Sequence, residues 1–378
     1  MNLKNIILLG LSISPLLFPV MAMMSCSKEK ITDNTVNGED VILKLSVDNI
    51  SVDASGGQEI IQLTTNTYWG IVPQSTYISK WEWGSISPES GNAGTHTLSI
   101  DIQTNYCDDR EIMFDVVAAD KRVPLTVFQK GWIIEFEDNN FKDYCLSEFD
   151  SNGDGKITKS ETVDIASIYT NQMPITSLRG IEEFENLSRL AYYNNPSNGG
   201  LTELDLSKNT KLTYLSCIGH QLASLDVSHN TALTEFWCCE NQLTSLDVSN
   251  NTVLTHLYCN ENQLTSLDLS NNTALVQVWC YDNNINSLDV SSNTALSSLA
   301  CSNNQLTSLD LSNNTSLRSL TCNSNQLTSL DVSNNTLLES LSCSDNPLKT
   351  LAISESQEYA RWMRPIKEEY PDIEIIVK

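Results

Sequence analysis

Between Asp150 and Glu161 the chain reads Asp150-Ser-Asn152-Gly-Asp154-Gly155-Lys156-Ile157-Thr158-Lys-Ser-Glu161. Oxygen-bearing side chains alternate along this run and a glutamate closes it, so one short loop can surround a hard cation with oxygens. Calcium is the ion that suits such a set; the alternative is a polar Asp/Asn/Gly turn with no ion. A second group of reactive side chains is spread over a longer distance. Cys217, Cys238, Cys259, Cys280, Cys301, Cys322 and Cys343 follow one another at 21-residue intervals. Asp205, Asp226, Asp247, Asp268, Asp289, Asp310 and Asp331 keep the same 21-residue interval. A thiolate ladder would bury charge without a counter-ion, so the cysteines are expected as small apolar packers. Disulfides do not suit them either, because stacked positions lie about 4.8 Å apart against a usual Cβ separation of about 3.8 Å. Cys107, Cys145 and Cys239 stand off the ladder, and a bridge between Cys107 and Cys145 stays open. Of the histidines, His256 beside Glu235 and Cys239 is the one candidate for nucleophilic chemistry, without a readable oxyanion arrangement. No length is left for a catalytic domain, and the chain is expected not to be an enzyme.

A fixed 21-residue period is the mark of a solenoid, whose repeats bury their apolar edges only by stacking. The repeat Leu254 to Ala274 contains Leu254-x-x-Leu257-x-Cys259-x-x-Asn262, then Leu264-x-x-Leu267-x-Leu269-x-x-Asn272. Alternation of faces turns Leu257, Cys259, Leu267 and Leu269 inward, which predicts two short parallel strands per coil on opposite walls. The asparagines close each half as turns. Eight coils begin at Leu187, Leu212, Leu233, Leu254, Leu275, Leu296, Leu317 and Leu338. The pattern resembles the nested leucine-rich repeats of bacterial surface proteins over Leu187 to Ser354. That likeness implies recognition.

The two walls differ. On the Leu-Asp-Leu wall the outward triplets are nearly constant, as in Ser224, Asp226 and Ser228. Short side chains of this kind commonly satisfy nearby backbone donors. The Leu-x-Cys wall varies. Stacking puts Trp237, Tyr258 and Trp279 in one column, flanked by Tyr214, Glu235, His256, Gln277 and Tyr281, while later coils fade to serine and alanine. This cluster is the candidate ligand-binding surface, the alternative being aromatic packing that only stabilises the sheet.

The acidic loop resembles the twelve-residue EF-hand loop. The likeness implies oxygen ligands from Asp150, Asn152 and Asp154, the carbonyl of Lys156, Thr158, and a bidentate Glu161, with Gly155 at the sharp turn. Helices are expected at Phe141 to Phe149 and Ser160 to Ile168. A single loop suits a structural calcium, and its place before the repeats suits an N-terminal cap. Glu355 to Glu369 is expected as an amphipathic helix in the C-terminal cap.

Upstream, Val41 to Gly131 alternates apolar and polar residues between Gly, Asn, Asp and Ser turns, which predicts a small antiparallel sandwich. Its segments Ala54-Ser-Gly-Gly57, Thr65-Asn66 with Trp69, Trp83-Gly-Ser-Ile-Ser-Pro88, Asn105 with Arg110, and Val127-Phe-Gln129-Lys-Gly131 resemble a BACON domain. That family occurs mainly in Bacteroidetes surface proteins and glycan-degrading enzymes, and its name implies carbohydrate binding. Trp69, Trp81 and Trp83 are the stacking candidates, unless they fill the core.

Lys4 and the apolar run Ile6 to Met24 precede Ser25-Cys26 and a polar stretch. This resembles a bacterial lipoprotein signal, implying acylation of Cys26 and a surface-exposed anchor in the outer membrane. The expected organisation is a signal at 1–25, tether 26–40, sandwich 41–131, loop and N-cap 132–186, solenoid 187–354 and C-cap 355–378. The expected fold is mostly β: a small sandwich followed by a leucine-rich-repeat β-solenoid with a helical calcium-binding cap. The chain carries 47 Asp plus Glu against 22 Lys plus Arg, which argues against nucleic acid as a partner. The function expected is surface recognition of a protein partner; a glycan-binding accessory role and a cell-envelope scaffold are the alternatives.

Overall fold

The structure, a computed structural model, describes residues 40–74, 81–170, 172–194 and 199–378. The expected signal segment, the expected acylation site Cys26 and the expected tether up to residue 39 lie outside the described residues.

The alternating N-terminal segment forms two packed sheets. One orders Leu43–Leu45, Gly57–Thr65, Gly94–Ile102 and Gly84–Ser87. The other orders Asn49–Val52, Lys121–Gln129, Arg110–Ala118, Trp69–Pro73 and Ser90–Gly91. Neighbours are antiparallel except Asn49–Val52, which runs parallel to Lys121–Gln129, so the sandwich is mixed rather than wholly antiparallel. Leu63, Trp69, Leu98, Ile100, Val116, Leu125 and Val127 are fully buried between the sheets. Trp81 is buried too and meets Trp83 edge-on at 4.9 Å between centroids. Arg110 covers Trp83 from 4.4 Å. These tryptophans are therefore engaged by the protein itself, as core and as a cation–π pair.

The helix Asn139–Phe149 starts at Asp138, whose carboxylate accepts from Asn140 N–H and Phe141 N–H, and it buries Phe141 and Cys145. Beyond the acidic loop there is one helical turn, Lys159–Thr162, and not the helix to Ile168 that the sequence suggests. The chain extends instead at Ser167–Tyr169 and pairs in parallel with Arg189–Tyr193. Ile168 is fully buried there, and the added strand covers the sheet edge that the first coil would leave open.

From there nine parallel strands form one continuous wall, from Ser167–Tyr169 to Ser340–Ser342. The register is uniform: His256 pairs with Gln277, Leu257 with Val278 and Tyr258 with Trp279. Leu257, Cys259, Leu264 and Leu269 are fully buried, and so are their counterparts in most coils. Asparagines close each half-turn. Asn262 donates to the carbonyls of Cys238, Cys259 and Asn260 and accepts from Leu243 N–H at 2.9 Å. Asn272 donates to Val248 and Asn251 in the coil before it.

The opposite wall departs from expectation. Regular strands occur on it only at Ser329–Asp331, Thr350–Ile353 and Glu374–Val377 among the described residues. In the earlier coils each aspartate takes a backbone N–H for itself: Asp226 Oδ1 accepts from Ser228 N–H at 2.8 Å, and Asp268 from Ser270 at 2.9 Å. Asp331 makes the same bond to Ser333 N–H at 3.0 Å at the end of a regular strand, so this capture does not by itself decide where the ladder forms.

The C-terminal cap is also broken up. A 3-10 turn at Glu355–Gln357 is followed by the helix Met363–Glu369, because Trp362 turns into the core between them. Gln357 donates to Asn335 O and Tyr370 hydroxyl to Cys343 O, which extends the solenoid's ladders beyond its last coil.

Candidate binding wall and acidic loop

The register that stacks the Leu-x-Cys strands also sets their outward side chains in columns. One runs Arg189, Tyr214, Glu235, His256, Gln277 and then serines; the next runs Ala191, Ser216, Trp237, Tyr258, Trp279 and Ala300. The rings do not project as separate exposed plates, which corrects the expectation for Tyr258. Trp237 stacks on Tyr258 with centroids 3.7 Å apart, and Trp279 meets Tyr258 edge-on at 4.8 Å. Tyr258 is thereby 5% exposed, while Trp237 and Trp279 are half-buried. Tyr258 hydroxyl donates to Gln277 Oε1 at 2.9 Å, and burial raises its pKa. Tyr214, Glu235, His256, Gln277 and Tyr281 are half-buried around this group.

Toward the N-terminal end Arg189 lies 4.3 Å over the Tyr214 ring and donates to Tyr169 hydroxyl. Tyr169 is an exposed aromatic of the added strand, and sequence reasoning missed it because Ser-Ile-Tyr carries no repeat signature. Among the described residues three buried polar atoms on this wall lack hydrogen-bond partners: Ser216 Oγ, Trp237 Nε1 and Asn260 Oδ1. Unpaired groups of this kind are costly unless something outside the chain meets them.

The nucleophile candidate is arranged otherwise. His256 Nδ1 is bonded to Thr255 Oγ1 at 2.9 Å, and burial pushes the Cys239 thiol up to about 12. Ladder thiols share that fate: burial raises Cys280 to about 12 and Cys238, Cys259 and Cys301 well above the ordinary value. Cys107 is exposed and Cys145 buried, both as free thiols.

On the opposite wall the hydroxyl and N–H of the serine two residues on hold Asp226, Asp247 and Asp289 below the usual carboxylate range. A cavity of about 670 Å³ opens at the N-terminal end of this wall, lined in part by Arg179, Glu182, Asp205, Lys208 and Asp226. Its signal in the sequence is the pair of basic residues interrupting an acidic face.

In the acidic loop, Gly153 and Gly155 are left-handed at φ +74° and +81°, with open space where a Cβ would stand. The requirement for glycine there is conformational. Asp150 Oδ1 accepts from Gly153 N–H at 2.7 Å and Oδ2 from Gly155 N–H at 3.0 Å. Asn152 Oδ1 accepts from Asp154 N–H. Glu161 caps Thr158 N–H and also accepts from Ser151 N–H, each at 2.9 Å, and these bonds hold its pKa down against burial. Among the described residues no three His, Cys, Asp or Glu side chains converge as a ready-made metal cage. Were calcium to bind, Asn152, the Lys156 carbonyl and Thr158 are the groups that would complete the oxygen set. Asp108 Oδ1, shut from solvent without a hydrogen-bond partner, lies beside the loop, and Asn152 Nδ2 donates to Asp108 Oδ2 at 3.4 Å.

The fold is a leucine-rich-repeat solenoid. Among solved structures, the functional domain of InlJ from Listeria monocytogenes, which includes a cysteine ladder, is 35% identical over 58% of this chain and 55% of that one, with TM-score 0.48. This chain thus spans about half of that domain's length, by the 55% coverage. An internalin C2 from Listeria monocytogenes is 22% identical over 57% of this chain and 94% of that one, with TM-score 0.48. An internalin, inlF, from the same organism is 21% identical over 64% and 91%, with TM-score 0.37. No protein-family model matches the chain, and no curated protein matches it in sequence. No helix among the described residues is long and apolar enough to cross a membrane.

Proposed function

We propose that this is a lipid-anchored surface protein whose Leu-x-Cys wall recognises a protein partner, in adhesion or a host contact. The observation that carries the reading is the unevenness of that wall. Up to the strand Gln277–Trp279 most of its outward positions are aromatic, charged or amide side chains, Ala191 and Ser216 excepted, and the next strands present serine, alanine and threonine. Packing alone does not require that change, because Leu299 and Leu320 are as deeply buried without ring neighbours. Half-buried aromatics framed by hydrogen-bonding groups are the composition of protein hot spots.

A protein suits this surface better than a sugar. A sugar platform needs free ring faces, and one face of Trp237 and the whole of Tyr258 are spent on each other. The buried tryptophans of the sandwich favour a spacer role for that BACON-like unit. Cys26 would carry the acyl chains, and calcium held by Asp150, Asn152, Asp154, Lys156 O, Thr158 and Glu161 would stiffen the N-terminal cap. When bound, the ion supplies charge neutralisation for a cluster of carboxylates.

The test is a binding screen of the calcium-loaded chain against matrix proteins, mucins and purified glycans. Saturable binding to a protein, insensitive to deglycosylation of that protein, is the expected result. Binding confined to glycans would replace this reading with the accessory role.

A further inference from the structure

We infer that the partner of the Leu-x-Cys wall is a basic polypeptide segment, whose arginine or lysine side chains cross the Trp237 and Trp279 rings and end on a column of carboxylates beside them. The inference rests on the reading of this wall as a protein-binding surface and deepens it by naming the partner's chemistry.

The carboxylate column begins and ends with the rings. At the left-handed position of successive coils stand Gly219, Glu240, Glu261, Asp282, Asn303 and Ser324. Its three acids belong to the coils that carry Trp237, Tyr258 and Trp279, and neutral side chains follow where the rings give way to Ala300 and Thr321. An acid returns only at Asp345, where the C-terminal cap reaches the column and Glu369 accepts the Asp345 N–H. Backbone bonds keep the column in line: Glu240 N–H donates to Asn260 O, Glu261 N–H to Tyr281 O and Asp282 N–H to Ser302 O. Neighbouring acids are thus about one strand spacing apart at the backbone, about 4.8 Å. Like charges so placed repel, and a cationic partner relieves them.

The fold makes little use of these carboxylates. On the opposite wall Asp247, Asp268 and Asp289 each accept the N–H of the serine two residues on. Among the described residues Glu240 and Glu261 accept no backbone N–H, and no Lys or Arg pairs with them or with Asp282. The one fixed cation among the described outward columns, Arg189, is engaged by Tyr214 and Tyr169. Its place over the Tyr214 ring is the contact inferred for the partner's cations on the tryptophans.

The unpaired polar atoms of the wall call for the same partner. Asn260 stands in the column between rings and acids, is 4% exposed and donates to Glu261 Oε1 at 3.4 Å, while its Oδ1 has no donor. Arginine and lysine side chains are donors only, and so complement it. Trp237 Nε1 is a donor without an acceptor. A peptide carbonyl meets that need, and a bare cation does not. A second copy of this chain, with its net charge of -25, is unsuited to an acidic surface.

The experiment measures binding of a fluorescein-labelled oligo-arginine peptide to the full chain, in detergent, by fluorescence anisotropy. Oligo-citrulline of equal length, which lacks the charge, is measured beside it. The variants are Glu240→Gln/Glu261→Gln/Asp282→Asn, Trp237→Ala/Trp279→Ala, and an opposite-wall control that removes the same charge, Asp247→Asn/Asp268→Asn/Asp289→Asn. Far-UV circular dichroism establishes that each is folded. The expected result is a Kd about tenfold weaker in the carboxylate variant, as for several exposed ion pairs lost together, and less than about twofold weaker in the control. The tryptophan variant should also bind more weakly, and oligo-citrulline should not bind. Equal losses in the two charge variants would mean that net charge alone attracts the peptide and would overturn the inference, as would equal binding of the two peptides. The same variants are then tested on the protein found by the binding screen. A protein that loses affinity in the tryptophan variant and keeps it in the carboxylate variant would overturn the inference and leave the reading of the wall standing. Full affinity in both would end both.

Discussion

Trp237 lies on Tyr258 across two adjacent coils, with 28° between the ring planes and 3.7 Å between centroids. The central ring of the wall is therefore scaffold, and its neighbours Trp237 and Trp279 form the surface that a partner would touch. A double-mutant cycle of Trp237→Ala and Tyr258→Ala, read by urea denaturation, should give a coupling of about 0.5–1.5 kcal/mol. Additive effects would mean that the stack is contact without stabilisation.

The ladder thiols should resist alkylation in the native chain. Among the described cysteines Cys107 alone is exposed and should react, with the ladder becoming reactive only in denaturant. Stability should also fall in alkali. The ordinary thiol value is 9.0, and burial raises Cys280 and Cys343 to about 12. Their contribution is thus fully present below about pH 9 and lost as pH rises through 12, where the folded thiols ionise. Melting temperatures that stay level from pH 8 to about 11 would contradict this account of the ladder.

Asn283 donates to the carbonyls of Cys259, Cys280 and Tyr281 and accepts from Leu264 N–H at 2.9 Å. Asn283→Ala should cost about 3 kcal/mol, since it strands buried backbone groups. Asn250, exposed with one 3.4 Å bond to Ser228 O, is the control. Asn250→Ala should change stability by less than about 0.5 kcal/mol, and equal losses at the two sites would remove the ladder from the argument.

One position per coil is strained. Glu240, Glu261, Asp282, Asn303, Ser324 and Asp345 are left-handed with φ between +51° and +56°, where the coil beginning at Leu212 has Gly219 at +77°. Glu261→Gly should stabilise the chain by about 0.5–1 kcal/mol, because glycine enters this region without steric cost. A lower melting temperature in that variant would show that the Glu261 side chain contributes more than its backbone costs.

The period and register of the solenoid were legible because every coil repeats the same leucine and cysteine positions. Other features were not. The added strand at Ser167–Tyr169 exists because an open sheet edge needs a partner, which local pattern does not report. The opposite wall follows its apolar alternation but forms regular strands only toward its C-terminal end, among the described residues, although Asp226 and Asp331 alike accept the N–H two residues on. The wall's columns were readable from spacing, whereas the burial of Tyr258 depends on how the neighbouring rings lie. Asp108 was invisible for a similar reason. It lies far from the loop in sequence and comes beside it only through the crossing at Gly131.

If calcium occupies the loop, removing it should loosen the cap. Excess chelator, or Glu161→Gln, should lower the melting temperature by several degrees, about 2–4 °C for each kcal/mol lost. An identical melt with and without chelator would remove calcium from the account.

The most direct test of the wall is the affinity of the parent chain for its bound protein, set against Trp237→Ala/Trp279→Ala and an opposite-wall control, Asp247→Ala/Asp268→Ala. Tyr258 is left in place because it is buried. The account predicts at least a tenfold loss of affinity in the tryptophan variant, folded by circular dichroism, and no change in the control, since each interface hot spot contributes roughly 2 kcal/mol or more. Full affinity in the tryptophan variant would move recognition off the Leu-x-Cys wall and contradict the central claim.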